Sequence, residues 1–84
     1  MTHEIKIQEP YADAIYDGRK TFEVRLNDRG YNAGDKVRFY VIYKSDGQMN
    51  VRHPLHQKVY EITYVHSGLG LEKDYVVFGI KAVE

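Results

Sequence analysis

The chain has 84 residues, twelve Lys and Arg against twelve Asp and Glu, and no cysteine. That length accommodates one domain, residues 1–84, and excludes two. Balanced charge argues against a general coat for duplex nucleic acid, and the lack of thiols excludes disulfides and thiolate metal sites.

No apolar run approaches the roughly 20 residues of a membrane-spanning helix. Met1-Thr2-His3-Glu4 lacks the basic-then-apolar plan of a signal peptide. A cytoplasmic protein from a bacterium or phage is expected, with no membrane partner. Charge is uneven along the chain. Residues 18–38 hold six basic groups against three acidic ones, so the remainder carries the opposite excess. A local basic face on a neutral protein suits a small anionic ligand or a short single strand.

The elements read as follows in chain order. His3 to Ile7 alternates, with Ile5 and Ile7 on one face, and predicts a first strand. Pro10 suits a first helical turn and Gly18 a helix stop. Tyr11, Ala14 and Ile15 recur between them at helical spacing, which predicts a short helix over residues 10–17. Lys20 to Leu26 predicts a second strand with Phe22, Val24 and Leu26 on one face and Thr21, Glu23 and Arg25 on the other. Turn compositions follow at Asn27-Asp28-Arg29-Gly30 and Asn32-Ala33-Gly34-Asp35.

Lys36 to Lys44 predicts a third strand with Val37, Phe39, Val41 and Tyr43 on one side. Ser45-Asp46-Gly47-Gln48 reads as a hairpin turn, and Met49 to Arg52 as a short returning strand. Lys58 to His66 presents Tyr60, Ile62 and Tyr64 together, and Tyr75 to Val83 closes the chain on Val76, Phe78 and Ile80. Five or six short strands and one helix are too few for a large sandwich. A mainly β fold is expected, a small closed or nearly closed barrel with the helix at one mouth. Its core should unite Ile5, Phe22, Val24, Phe39, Val41, Ile62, Phe78 and Ile80. A ferredoxin-like sheet would need a second helix, and the sequence offers one.

The densest polar constellation is Gly18-Arg19-Lys20-Thr21-Phe22-Glu23-Val24-Arg25, continued by Asn27-Asp28-Arg29. Glu23 and Arg25, two apart on a strand, share a face and can pair or flank a ligand. Arg25 offers a planar fork for a carboxylate, a phosphate or a base edge. Lys20 and Glu23 have odd spacing and reach one pocket only if the strand start bends. The competing reading is an ion-paired strand face that holds the helix to the barrel.

The pattern Gly18-x-Lys20-x-x-Glu23-x-Arg25 is similar to the signature of ASCH domains, members of the PUA-like superfamily. The longer run resembles a bacterial and phage branch of that group known only as a domain of unknown function. Its matches are His3, Glu4, Lys6, Lys20-Thr21-Phe22-Glu23-Val24-Arg25, Asn27-Asp28-Arg29, Gly34-Asp35 and the stretch from Gly70 to Val77, whose spacer is one residue longer here. The resemblance implies a PUA-like barrel with a cleft beside its first helix that binds RNA or a related ligand. It also implies distant hydrolytic relatives that use a Thr and a Lys on an acylated cytidine. That lysine corresponds to Lys20, while Glu23 stands where the threonine nucleophile would be.

The expected ligand-binding set is therefore Lys6, Lys20, Thr21, Glu23, Arg25, Asn27, Asp28, Arg29 and Tyr31. Tyr31 is expected as a base-stacking platform beside the Asn-Asp-Arg turn. Lys20 and Glu23 would carry any catalysis. No cofactor and no metal are expected. His53 and His56 flank Pro54 in what reads as an extended surface loop, too few imidazoles for a metal site. Three functions compete: a monomeric binding module for RNA or a modified nucleotide, a small amidohydrolase on an acylated nucleoside, and an accessory interaction module whose ion-pair motif is structural.

Overall fold

A computed structural model describes residues 1–83. It holds β1 (Thr2–Gln8), α1 (Glu9–Tyr16), β2 (Phe22–Leu26), β3 (Lys36–Ile42), β4 (Val59–Ser67) and β5 (Tyr75–Ala82). The five strands form one sheet in the order β1-β3-β4-β5-β2. It curls into a half-barrel that stays open between its two edge strands, β1 and β2. β1 runs parallel to β3, and every other pairing is antiparallel. The parallel pair needs a crossover, and α1 with β2 supplies it.

Alternation explains the core. Ile5 and Ile7 of β1, Val37, Phe39 and Val41 of β3, Ile62 of β4, and Val76, Phe78 and Ile80 of β5 all turn inward. α1 is too short to be stable alone and packs on β1 and β3 through Ala12 and Ile15. Its stripe thus runs through Ala12 rather than the expected Tyr11, which is exposed. Gly18, at φ +86°, takes the left-handed conformation that ends the helix. The Lys20 N–H then donates to the Ala14 carbonyl at 3.0 Å, folding the next segment back along α1.

Four expectations about the strands are corrected. The faces of β2 are inverted: Phe22, Val24 and Leu26 are 43–48% exposed while Glu23 is buried at 4%. At the open side of a half-barrel the inward face of an edge strand looks onto the gap, so alternation there leaves the polar row inside. Tyr64 points outward because a bulge between Ile62 and Tyr64 inserts Thr63 and switches faces, leaving Val65 against the core. Gly79 makes room for the bulge, since a Cβ there would sit 2.6 Å from Thr63 Oγ1. Tyr43 lies beyond the end of β3 and is exposed. Met49 to Arg52 forms no strand, only a single bridge from Met49 to Ile42.

Residues 50–57 instead fold as consecutive turns that border the upper half of β3, in place of the expected extended loop. Asn50 N–H donates to Val41 C=O at 2.8 Å and Gln57 N–H to Phe39 C=O at 2.6 Å. The Val41 N–H donates to His56 Nδ1 at 3.1 Å, so an imidazole replaces a strand carbonyl. His53 accepts the Leu55 N–H at Nδ1, 3.0 Å away, and its Nε2–H donates to Asp13 of α1 at 2.7 Å. Leu55, fully buried, pins these turns to the core.

At the start of β1, buried His3 donates from Nε2 to Asp35 Oδ2 at 2.8 Å. That hydrogen bond holds the Asp35 carboxyl below the usual carboxylate range, aided by the Asn32 N–H. A carboxyl whose pKa is lowered on folding stabilises the fold above its unfolded pKa of about 4 and loses that contribution as pH falls through the folded value. Asp35→Asn should therefore show a shallower loss of stability below about pH 4 than wild type, read by denaturant melts across the acid range. Phe39→Ala should cost about 3–5 kcal/mol, because the ring is fully buried and packs edge-on to Tyr60; chemical denaturation measures it.

Candidate binding groove at the open seam

Backbone direction defines the seam. Ile80 N–H donates to Thr21 C=O and Asn27 N–H to Asp74 C=O, so the odd-numbered residues of β2 turn their amides to β5. Phe22 and Val24 accordingly turn theirs to the gap. On β1, Lys36 N–H donates to Met1 C=O, which leaves the Lys6 carbonyl facing the gap from the other side. Arg25 reaches across it: its Nη2 donates to that Lys6 carbonyl at 2.6 Å.

The guanidinium is aimed by Glu23. Arg25 Nε donates to Glu23 Oε2 at 2.8 Å, and the Lys20 ammonium pairs with Glu23 Oε1. Lys20 precedes β2, where the chain has bent after Gly18, so a residue of odd spacing still meets Glu23. Its ammonium also lies 5.5 Å from the Tyr11 ring centroid and 5.2 Å from that of Phe22. A carboxylate and two aromatic faces thus fix the lysine from three directions. One buried carboxylate answers two cations, which leaves the cluster at +1.

Two hollows, of about 590 and 620 Å³, open on either side of the Arg25 bridge and share Lys6 and Arg25 as common wall. The one beside α1 is lined by Lys20, Glu23, Tyr11, Phe22 and Val24 among others. The other takes in Asp28, Arg29, Glu4 and Tyr40. Lys6 has no acidic partner among the described residues, and Arg29 is paired only loosely, 4.0 Å from Asp28. Neither hollow is lined by a serine or threonine.

The expected set is thereby divided. Lys6, Lys20, Glu23, Arg25, Asp28 and Arg29 are brought to the groove. Thr21 is not; its carbonyl belongs to the β2–β5 ladder. Asn27 lies at a separate depression near residues 67–76 and accepts the Tyr31 N–H on its Oδ1 at 3.2 Å. Tyr31 touches the second hollow, but its ring is buried between His3 and Phe78, with centroids 4.8 Å away on each side. It is a core residue rather than a stacking platform, and burial pushes its phenol above the ordinary range.

Residues 2–80 match the family described as "Domain of unknown function (DUF3850)". The chain belongs to this family. No curated protein matches it in sequence.

Sequence reasoning missed four walls of the groove in this DUF3850 domain. Tyr11 and Phe22 were assigned to the core by periodicity. Tyr40, opposite Lys6 in the β1–β3 register, donates from its hydroxyl to Glu4 Oε2 at 2.8 Å. Glu4 and Lys6 share the outward face of β1, and that alternation was the available signal. Among the described residues no group of three or more His, Asp or Glu side chains is arranged to hold a metal ion.

Glu23→Ala should destabilise the domain by about 1–3 kcal/mol, since it leaves Lys20 and Arg25 facing each other without their acceptor. Glu23→Gln should lose less, because the amide oxygen still accepts from one cation. Thermal and urea unfolding of both variants measures the difference.

Proposed function

We propose that this DUF3850 domain is a binding module for RNA or a modified nucleotide-like ligand, held in the groove across the seam beside α1. One observation carries the reading. Lys6, a cation with no acidic partner among the described residues, stands in the common wall of two hollows that also present aromatic rings and a pre-aimed arginine. Cationic groups for a phosphate beside rings for a base are the pairing that single-stranded nucleic acid requires. The ASCH-like run from Gly18 to Arg25 supports the same assignment and, with it, a place in the PUA-like superfamily and a bacterial or phage cytoplasm. The hydrolytic alternative finds less support. A carboxylate occupies the nucleophile position, already engaged by Lys20 and Arg25, and no serine or threonine lines the groove.

Fluorescence titration with labelled single-stranded RNA, free nucleotides and duplex DNA at two salt concentrations tests the proposal. Single strands or nucleotides should bind more tightly than duplex, because a narrow groove between strand edges admits a splayed base and not a double helix. Absence of binding to all of them at low salt would leave the groove as a structural ion-pair cluster and sink the proposal.

A further inference from the structure

We infer, resting on the reading above, that the groove takes one nucleotide unit astride Arg25, with its phosphate at Lys6 and Arg29 and its base in the hollow beside α1. Charge sets the size of the ligand. Lys6, Lys20, Arg25 and Arg29 line the two hollows together with Glu4, Glu23 and Asp28, so four cations stand against three carboxylates. An excess of one charge offsets part of the charge of about 1.5–2 on one phosphate monoester and leaves none for a second. Glu4 is answered by Arg38 at 3.4 Å, so it is at Asp28 that the further phosphates of a longer strand would meet like charge.

The difference between the hollows sets the orientation. Lys20 is already held by Glu23 and lies against the rings of Tyr11 and Phe22, so its charge is largely answered where it stands. Around it stand the apolar side chains of Ile7, Tyr11, Phe22, Val24 and Ile42, with Gln8 as the one uncharged polar residue of the lining. Tyr11 and Phe22 are about half exposed, at 54% and 43%, so part of each ring remains available to an aromatic ligand. That hollow suits a base. Across the Arg25 bridge, Arg29 is loosely paired and half exposed, and Lys6 stands between the two with no acidic partner among the described residues. That side suits the phosphate. Arg25, fixed at Nε by Glu23 and at Nη2 by the Lys6 carbonyl, lies beneath the junction of sugar and phosphate, with no partner for Nη1 among the described residues.

Calorimetric titration of wild type, Arg29→Ala and Tyr11→Ala tests the assignment. The probes are the four ribonucleoside 5′-monophosphates, the matching nucleosides, inorganic phosphate and an RNA of about eight nucleotides. Both substituted residues are exposed, and thermal melts verify that the variants fold. At least one monophosphate should bind wild type, and the octamer should match its affinity to within about threefold, with a salt slope of roughly one phosphate. Arg29→Ala should weaken the monophosphate about tenfold and leave the nucleoside unchanged. Tyr11→Ala should weaken monophosphate and nucleoside together and leave inorganic phosphate unchanged. An octamer bound more than about tenfold tighter than any monophosphate, with a slope of several phosphates, would overturn the single-unit inference while sparing the nucleotide reading. Variants that weaken every probe alike would overturn the orientation. No binding by any probe to wild type would overturn both the inference and the function it rests on.

Discussion

The architecture around the groove depends on a buried carboxylate. Glu23 lies almost fully out of water, and an isolated charge there would be prohibitively unfavourable. Lys20 and Arg25 meet it from two sides, and this requirement dictates much else. It obliges β2 to turn its charged row inward and its apolar row out. It draws the segment after Gly18 back along α1 so that Lys20 can arrive. It also orients the Arg25 guanidinium, leaving one nitrogen to span the gap to β1. Had β2 carried an apolar residue at position 23, the strand would have no reason to present this face, and the two halves of the seam would have no link.

How legible this was in the sequence depends on what alternation can express. β1, β3 and β5 each have one face on the core, and their apolar rows at Ile5/Ile7, Val37/Phe39/Val41 and Val76/Phe78/Ile80 read directly. β2 alternates as cleanly, yet a period of two says only that the faces differ, not which one looks inward. Tyr64 was misjudged for another reason. The bulge at Thr63 leaves no pattern in its own strand, and its trace is a glycine across the sheet, Gly79. The polar motif stood out by composition, and the need for a bend between Lys20 and Glu23 was visible in their spacing. The aromatic walls were not, because Tyr11 and Phe22 obey the same periodicities as core residues.

The turns at 50–57 show the same substitution of side chain for backbone. β4 pairs with β3 only at its lower end, from Lys36 to Arg38. Above that point the edge of β3 would be bare, and His56 with the amides of Asn50 and Gln57 covers it. His53 and Asn50 then tie these turns to Asp13 and Glu9 of α1. The two loop imidazoles, His53 and His56, are thereby engaged in holding helix and sheet together.

The Arg25 bridge has a consequence for how such a domain can vary. A barrel closed by a ladder of main-chain hydrogen bonds has an opening whose width is common to every sequence that adopts it, since no single replacement alters a peptide group. Here the last link between the two edges is one side chain, 2.6 Å from a carbonyl. The aperture is therefore set by one codon: the reach and the fork of that side chain fix its width, while its positive charge is held in place by Glu23. Divergence in what the fold accepts can begin at that position, within the limit that the replacement still answers the buried Glu23 carboxylate.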